Sequence, residues 1–218
     1  MNTVIASMFV DPQKGFTSLC PSELPVPDGQ HIVPGLMELY QLSTVHACSS
    51  DAHSPHALFV ASETQPAFSS LPHENTDKAF PLHCVPGTQG FELLDGLPPV
   101  LSYDYMVWKG MDPSLHPYGA CYHDLNNRLS TGLIEVFRAR GVTHVLLGGL
   151  AADICVAITG FQLREAGFNV AMYMPATRGL TVQSTQTQCD ALQSAGVDII
   201  HDKQSLQLWV QQAQSSSI

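Results

Sequence analysis

Short β-rich apolar runs alternate along the chain with runs of helical period. Residues 3–10 read as a strand that stops at Asp11-Pro12. Pro34 suits the first turn of a short helix reaching Leu42, with Leu36, Leu39 and Tyr40 on one side. Residues 44–48 predict a second strand, and residues 103–108, dense in aromatic and apolar side chains, a third. Ser130 or Thr131 is placed to cap a helix that turns Leu133, Val136 and Phe137 inward and stops at Gly141. Residues 144–147 form the most apolar strand and run straight into Gly148-Gly149. Helical spacing from Cys155 to Ala166 ends at Gly167, and residues 169–174 predict the next strand. Thr185-x-x-Gln188 has the form of a capping box before a helix with Cys189 and Leu192. Residues 197–200 and 205–212 complete the pattern as a strand and a helix. This order implies an α/β fold, with a mainly parallel sheet covered by helices on both faces. No linker divides residues 1–218, so one domain is expected.

Two stretches escape the pattern. Residues 49–100, rich in Ser, Pro, His and Gly, are too long for an idle connection and hold His53, His56, His73 and His83. A second loop runs from Gly110 to about Arg128. The apolar N-terminus lacks a basic segment and is cut short by Asp11, so it reads as a buried strand and not as a signal peptide. No run reaches the roughly 18 apolar residues of a membrane span.

Charge narrows the partners. Nine basic residues against 19 acidic ones give a net charge of −10, with only four lysines. Such a chain lacks the basic surface that nucleic acid or an anionic membrane requires. Charged residues are 13% of the chain, against roughly 25% in a typical soluble domain, which points to surface covered by a partner subunit in a homo-oligomer. The six cysteines lie 28 to 37 residues apart with no CxxC pair, which fits free thiols in a reducing cytoplasm.

In an open parallel sheet, ligands bind beyond the carboxyl ends of the strands. Those ends carry Asp11, then Asp51 with His53, then Lys109, and finally Gly149 to Cys155 at the mouth of a helix. There the helix dipole is expected to lower the thiol pKa of Cys155 and favour the thiolate. Asp11 could take the thiol proton, and Lys109 would be paired with Asp11 and the thiolate. Asp51 and His53, two apart, project from one face of an extended segment. With His83 they form a carboxylate–imidazole set suited to one divalent metal ion, Zn²⁺, Mn²⁺ or Fe²⁺, and His56 is a candidate fourth ligand. His73, His116, His123 and His201 are expected on loops or at the surface. Cys48, Cys121 and Cys189 are expected as small buried hydrophobes.

These residues resemble the nicotinamidases of the isochorismatase-like cysteine hydrolases. The likeness rests on Phe9-Val10-Asp11-Pro12-Gln13-x-x-Phe16, Asp51-x-His53, the run from Phe80 to Thr88, Trp108-Lys109-Gly110 and the run from Gly149 to Val156. The resemblance implies a three-layer α/β/α domain with a Rossmann-like sheet, and hydrolysis of nicotinamide to nicotinate and ammonia in NAD salvage. Carried over by position, Cys155 is the nucleophile, Asp11 the proton shuttle and Lys109 the cationic third member. It also implies a cis peptide at Leu150–Ala151, an oxyanion hole from the N–H groups of Ala151 and Cys155, and zinc first among the metals. Phe16, Phe80 and Tyr118 stand where aromatic residues sandwich the substrate ring. His116 occupies a position where the family usually has Asp, and Phe80 one where Trp is usual. The runner-up reading keeps the triad but acts on another carboxamide or a carbamoyl compound.

Overall fold

The computed structural model describes residues 3–215. Six strands, β1 (Val4–Val10), β2 (Val45–Asp51), β5 (Tyr105–Lys109), β6 (Val142–Leu150), β7 (Asn169–Arg178) and β8 (Asp198–Ile200), form one sheet in the order β5-β2-β1-β6-β7-β8. Every pair in it is parallel. Two short antiparallel strands, β3 (Ser70–His73) and β4 (Thr76–Lys78), make a separate hairpin inside the long stretch between β2 and β5.

The three layers follow from the alternation of side chains along the strands. In β1, Ala6, Met8 and Val10 enter one core with Leu133 and Phe137 of α2 (Leu133–Ala139), Leu163 of α3 (Cys155–Glu165) and Leu192 of α4 (Val182–Ser194). Ile5 and Phe9, on the other face, pack with Leu36 and Leu39 of α1 (Val33–Gln41) and with Leu206 and Val210 of α5 (Lys203–Ser215). The expected α/β architecture with helices on both faces is therefore the one observed. No described helix is long and apolar enough to cross a membrane.

The strand order reverses between β1 and β6, which opens the crevice where such sheets place their ligands. Backbones meet closely there. Val10 pairs with Gly149, and a Cβ on Gly149 would lie 2.0 Å from the Val10 carbonyl oxygen, so only glycine fits. Its φ of 127° also lies in the region that side chains avoid.

Of the boundaries that differ from the sequence pattern, three bear on the tertiary contacts. The second strand runs on through the buried polar residues Ser49, Ser50 and Asp51, of which Ser49 donates to Asp11 and Asp51 pairs with Lys109 at the site. Helix α4 starts a turn before the Thr185 capping box: Thr181 caps it by accepting the Ser184 N–H at 3.0 Å. Helix α2 has Gly132 at its N-cap (φ 87°), and the Thr131 hydroxyl, which donates to the Ala120 carbonyl at 2.7 Å, accepts the Leu133 N–H only at 3.4 Å.

Candidate active site

Register explains the first contact. Asp51 and Lys109 are partners on adjacent parallel strands, so their side chains leave the same face of the sheet. The Lys109 ammonium is fully buried, paired with Asp51 and 2.9 Å from Asp11 Oδ2. It also lies 3.8 Å from Cys155 Sγ. Asp11 follows β1 with a φ of 45°, a turn that few non-glycine residues make. Its other oxygen accepts the Ser49 hydroxyl at 2.7 Å, and its N–H donates to the Ser49 carbonyl at 3.1 Å. Carboxylate oxygens of Asp11 and Asp51 and the Cys155 sulfur all lie within 4.8 Å of one another.

Cys155 opens α3, where the first N–H groups have no partner within the helix. The Leu150–Ala151 peptide before it is cis. The loop between is held at three points: the Ala152 N–H donates to the Arg178 carbonyl at 2.8 Å, the Val156 N–H to the Ala151 carbonyl at 3.1 Å, and Asp153 accepts the Leu180 N–H at 3.1 Å. Asp153 also accepts the Ser184 hydroxyl, which ties the loop before Cys155 to the start of α4. Among the described residues, the N–H groups of Ala151 and Cys155 have no acceptor.

Electrostatics corrects one expectation. Burial pushes the Cys155 thiol well above its usual range, and the pull of Lys109 does not offset this. The resting sulfur is a thiol, so the helix dipole alone does not make the thiolate. Burial also raises Asp11 to about 6, with Lys109 opposing and Asp51 adding to the shift. Burial works against the Asp51 carboxylate too, but Lys109 and the two imidazoles hold it well below the usual range. Burial disfavours the Lys109 charge, yet Asp11 and Asp51 outweigh it and keep the ammonium protonated. With Asp11 ionised, two carboxylates and one ammonium leave this buried cluster one unit negative.

Beside that cluster three imidazoles converge, from His53, His83 and His116, each offering a ring nitrogen within 4.8 Å of the others. Asp51 Oδ1 is 3.5 Å from His53 Nε2, and Asp51 Oδ2 is 3.9 Å from His83 Nε2. Burial lowers His83 to about 4 and holds His116 well below its usual value, so both are neutral with lone pairs free. His83 Nδ1 is 2.7 Å from the Pro81 carbonyl, which fixes that nitrogen as the donor and leaves Nε2 facing Asp51. Both nitrogens of His53 and Nδ1 of His116 are buried with no hydrogen-bond partner. Orphaned imidazole nitrogens next to an excess carboxylate fit a divalent metal ion. Gly110 is required for this approach, since a Cβ there would lie 2.4 Å from the His53 ring.

A cavity opens over Cys155 and this imidazole group, walled by Phe16, Phe80, Tyr118, His83, His116 and Ala151. Phe16 stands edge-on to His83 at 5.5 Å, and Phe80 edge-on to Tyr118 at 6.1 Å. Tyr118 donates to Asp77 of the hairpin at 2.6 Å, so the hairpin fixes one wall.

All the residues expected at the rim therefore meet in one place. His116 lies on a loop, as expected, but not at the surface: it is 3% exposed because Phe59, Phe80 and Tyr118 enclose it. His56 is exposed. Ser49 and Gln13 escaped the sequence reading. The Gln13 side chain brackets the Asp51 backbone, accepting its N–H at 2.7 Å and donating to its carbonyl at 2.9 Å. Only the Asp11-Pro12-Gln13 run hinted at Gln13, and nothing local marked Ser49.

Residues 6–204 match the family described as the isochorismatase domain. The chain is 28% identical over 206 residues to a nicotinamidase of Acinetobacter baylyi, covering 92% of this chain and 94% of that one. Among solved structures, the Acinetobacter baumanii nicotinamidase pyrazinamidase superposes with a TM-score of 0.80 at 25% identity, over 90% and 95% of the two chains. The pyrazinamidase of Pyrococcus horikoshii, in complex with zinc, superposes with a TM-score of 0.73 at 23% identity, over 91% of this chain and 99% of that one.

Proposed function

This chain belongs to the isochorismatase domain family, and on that premise we propose that it hydrolyses the carboxamide of nicotinamide to nicotinate and ammonia. The observation that carries the reading is a buried thiol, carboxylate and ammonium at the base of an aromatic-walled cavity. The nicotinamidase relative, matched over nearly its whole length, supports the substrate.

Asp11, ionised above about pH 6, removes the Cys155 proton as the sulfur attacks the amide carbon. The negative oxygen that forms accepts the N–H groups of Ala151 and Cys155, which have no other acceptor. Lys109 keeps the charge of the cluster balanced while Asp11 is protonated. The C–N bond breaks, Asp11 returns its proton to the leaving nitrogen, and ammonia departs from a thioester on Cys155. Asp11 then takes a proton from a water that attacks the thioester, releasing nicotinate and restoring the thiol. Phe16, Phe80 and Tyr118 hold the ring in place and exclude water from it. Asp51, His53 and His83 would hold the metal, which when bound supplies a Lewis-acidic anchor for the pyridine nitrogen. We place zinc first, since its preference is for imidazole with carboxylate.

The test is ammonia release from nicotinamide by the purified chain, before and after chelation and with metal restored. Chelator-sensitive release supports both the substrate and the metal. Cys155→Ala is expected to abolish turnover with circular dichroism unchanged, and residual turnover in that variant would refute the nucleophile. A chain that forms no nicotinate while Cys155 still alkylates readily acts on a different amide.

A further inference from the structure

We propose that His116 is itself a ligand to the divalent metal, so that the ion meets three imidazoles, His53, His83 and His116, in addition to Asp51. This rests on the metal reading of His53 and His83 above and extends it to a residue in the loop after β5.

Three observations place His116 in that role. Its ring is almost completely buried, yet Nδ1 has no hydrogen-bond partner. A buried polar nitrogen left unpaired is costly, and the neighbouring His53 ring, with centroids 5.3 Å apart, carries two more. The second observation is reach. One nitrogen from each of the three rings lies within 4.8 Å of the others. Zinc–nitrogen bonds of about 2.1 Å in a tetrahedron set ligand atoms about 3.4 Å apart, so each pair has to close by about 1.4 Å at most. The third is rigidity. The ring stacks on Phe59 with centroids 4.1 Å apart, Phe80 meets it at 4.8 Å, and its backbone N–H donates to Asn75 of the hairpin turn at 2.9 Å. Packing on three sides leaves the ring the approach to His53 and His83.

The chemistry of the ion follows. Three imidazoles and one carboxylate form a nitrogen-rich set that favours Zn²⁺ or Co²⁺ over Mn²⁺ and Mg²⁺. With the Asp51 carboxylate counted to it, the bound ion keeps one net positive charge, and the Asp11–Lys109 ion pair beside it is neutral.

The experiment uses the full chain, stripped of metal and loaded with Co²⁺. Proton NMR of the wild-type cobalt protein is expected to show three exchangeable, hyperfine-shifted imidazole N–H signals. His116→Gln should lose one of them and bind Co²⁺ at least about tenfold more weakly in a competition titration. His56→Gln should change neither. Two signals in the wild type, with His116→Gln binding within twofold of it, would overturn the proposal. Should His116→Gln fail to fold, the count of signals in the wild type still decides. His53→Gln separates the two levels: if it too leaves cobalt binding intact, the metal reading fails as a whole, whereas its loss beside an unaffected His116→Gln removes His116 alone.

Discussion

Acidification should silence Cys155 through Asp11 while the fold stays intact. The carboxyl of Asp11 is buried against Lys109 and Ser49 and titrates at about 6. Its basic form then falls from about 91% at pH 7 to about 9% at pH 5, roughly a tenfold loss of the species that accepts the thiol proton. An ordinary Asp at its usual value would lose only about 6% over that range. The assay is the rate of Cys155 alkylation by iodoacetamide in the chelated chain, read by mass spectrometry of the peptide. It should rise about tenfold from pH 5 to pH 7 and level off above, because Asp11 is then ionised while burial still keeps the thiol protonated. In Asp11→Asn the plateau should vanish, leaving a slow rate that climbs with pH. Stability moves the other way. The folded carboxyl binds its proton more tightly than the unfolded one, so its ionisation destabilises the fold as pH rises from about 4 to about 6. Protonating Asp11 at pH 5 thus relieves a burden, and unfolding does not account for the lost reactivity. His83, lowered to about 4, remains neutral at pH 5, so the imidazole group is not what titrates. A wild-type profile flat between pH 5 and 7, or one unchanged in Asp11→Asn, would refute the reasoning.

Two further outcomes follow from the same contacts. Lys109→Met leaves Asp11 and Asp51 buried together without a cation and should cost about 3–5 kcal/mol in urea denaturation at pH 8. The loss should shrink at pH 5, where Asp11 takes up a proton; an equal loss at both values would mean that the ammonium acts by packing alone. Gly149→Ala sets a Cβ 2.0 Å from the Val10 carbonyl at a positive φ and should destabilise by about 3 kcal/mol or more, whereas Gly167→Ala, open to solvent, should cost less, about 1 kcal/mol. Thermal denaturation of the two variants side by side checks the ranking.

How much of this was legible depended on whether the signal was local. Strands β1 and β6 and helix α3 announce themselves, because their apolar periods match the element they form; Asp-Pro ends β1 and Gly167 follows α3, whereas β6 runs on through Gly148-Gly149 to Leu150. Ser49, Ser50 and Asp51 gave no strand signal, since polar residues lie at the end of β2 for the sake of the site. The cap of α4 was misplaced by one turn because Thr181 and Thr185 both offer a hydroxyl, and only the Asp153–Ser184 contact sets where the helix begins. His116 looked like any loop histidine, and no local pattern says that Phe59, more than fifty residues earlier, will stack on it.

By itself the sequence determined the α/β order, the identity of the residues at the strand ends and hence the acid, thiol and ammonium brought to one rim. Those properties are carried by periodicity and by position relative to strand termini, both of which are written along the chain. Only the tertiary structure decided the protonation states and the composition of the imidazole cluster. Burial reversed the direction expected for the Cys155 thiol, and the same burial raised Asp11 into the range where it can act as a base. It also turned His116 inward beside His53 and His83. Desolvation depends on what covers a group from every side, and that cover comes from segments far apart in the chain.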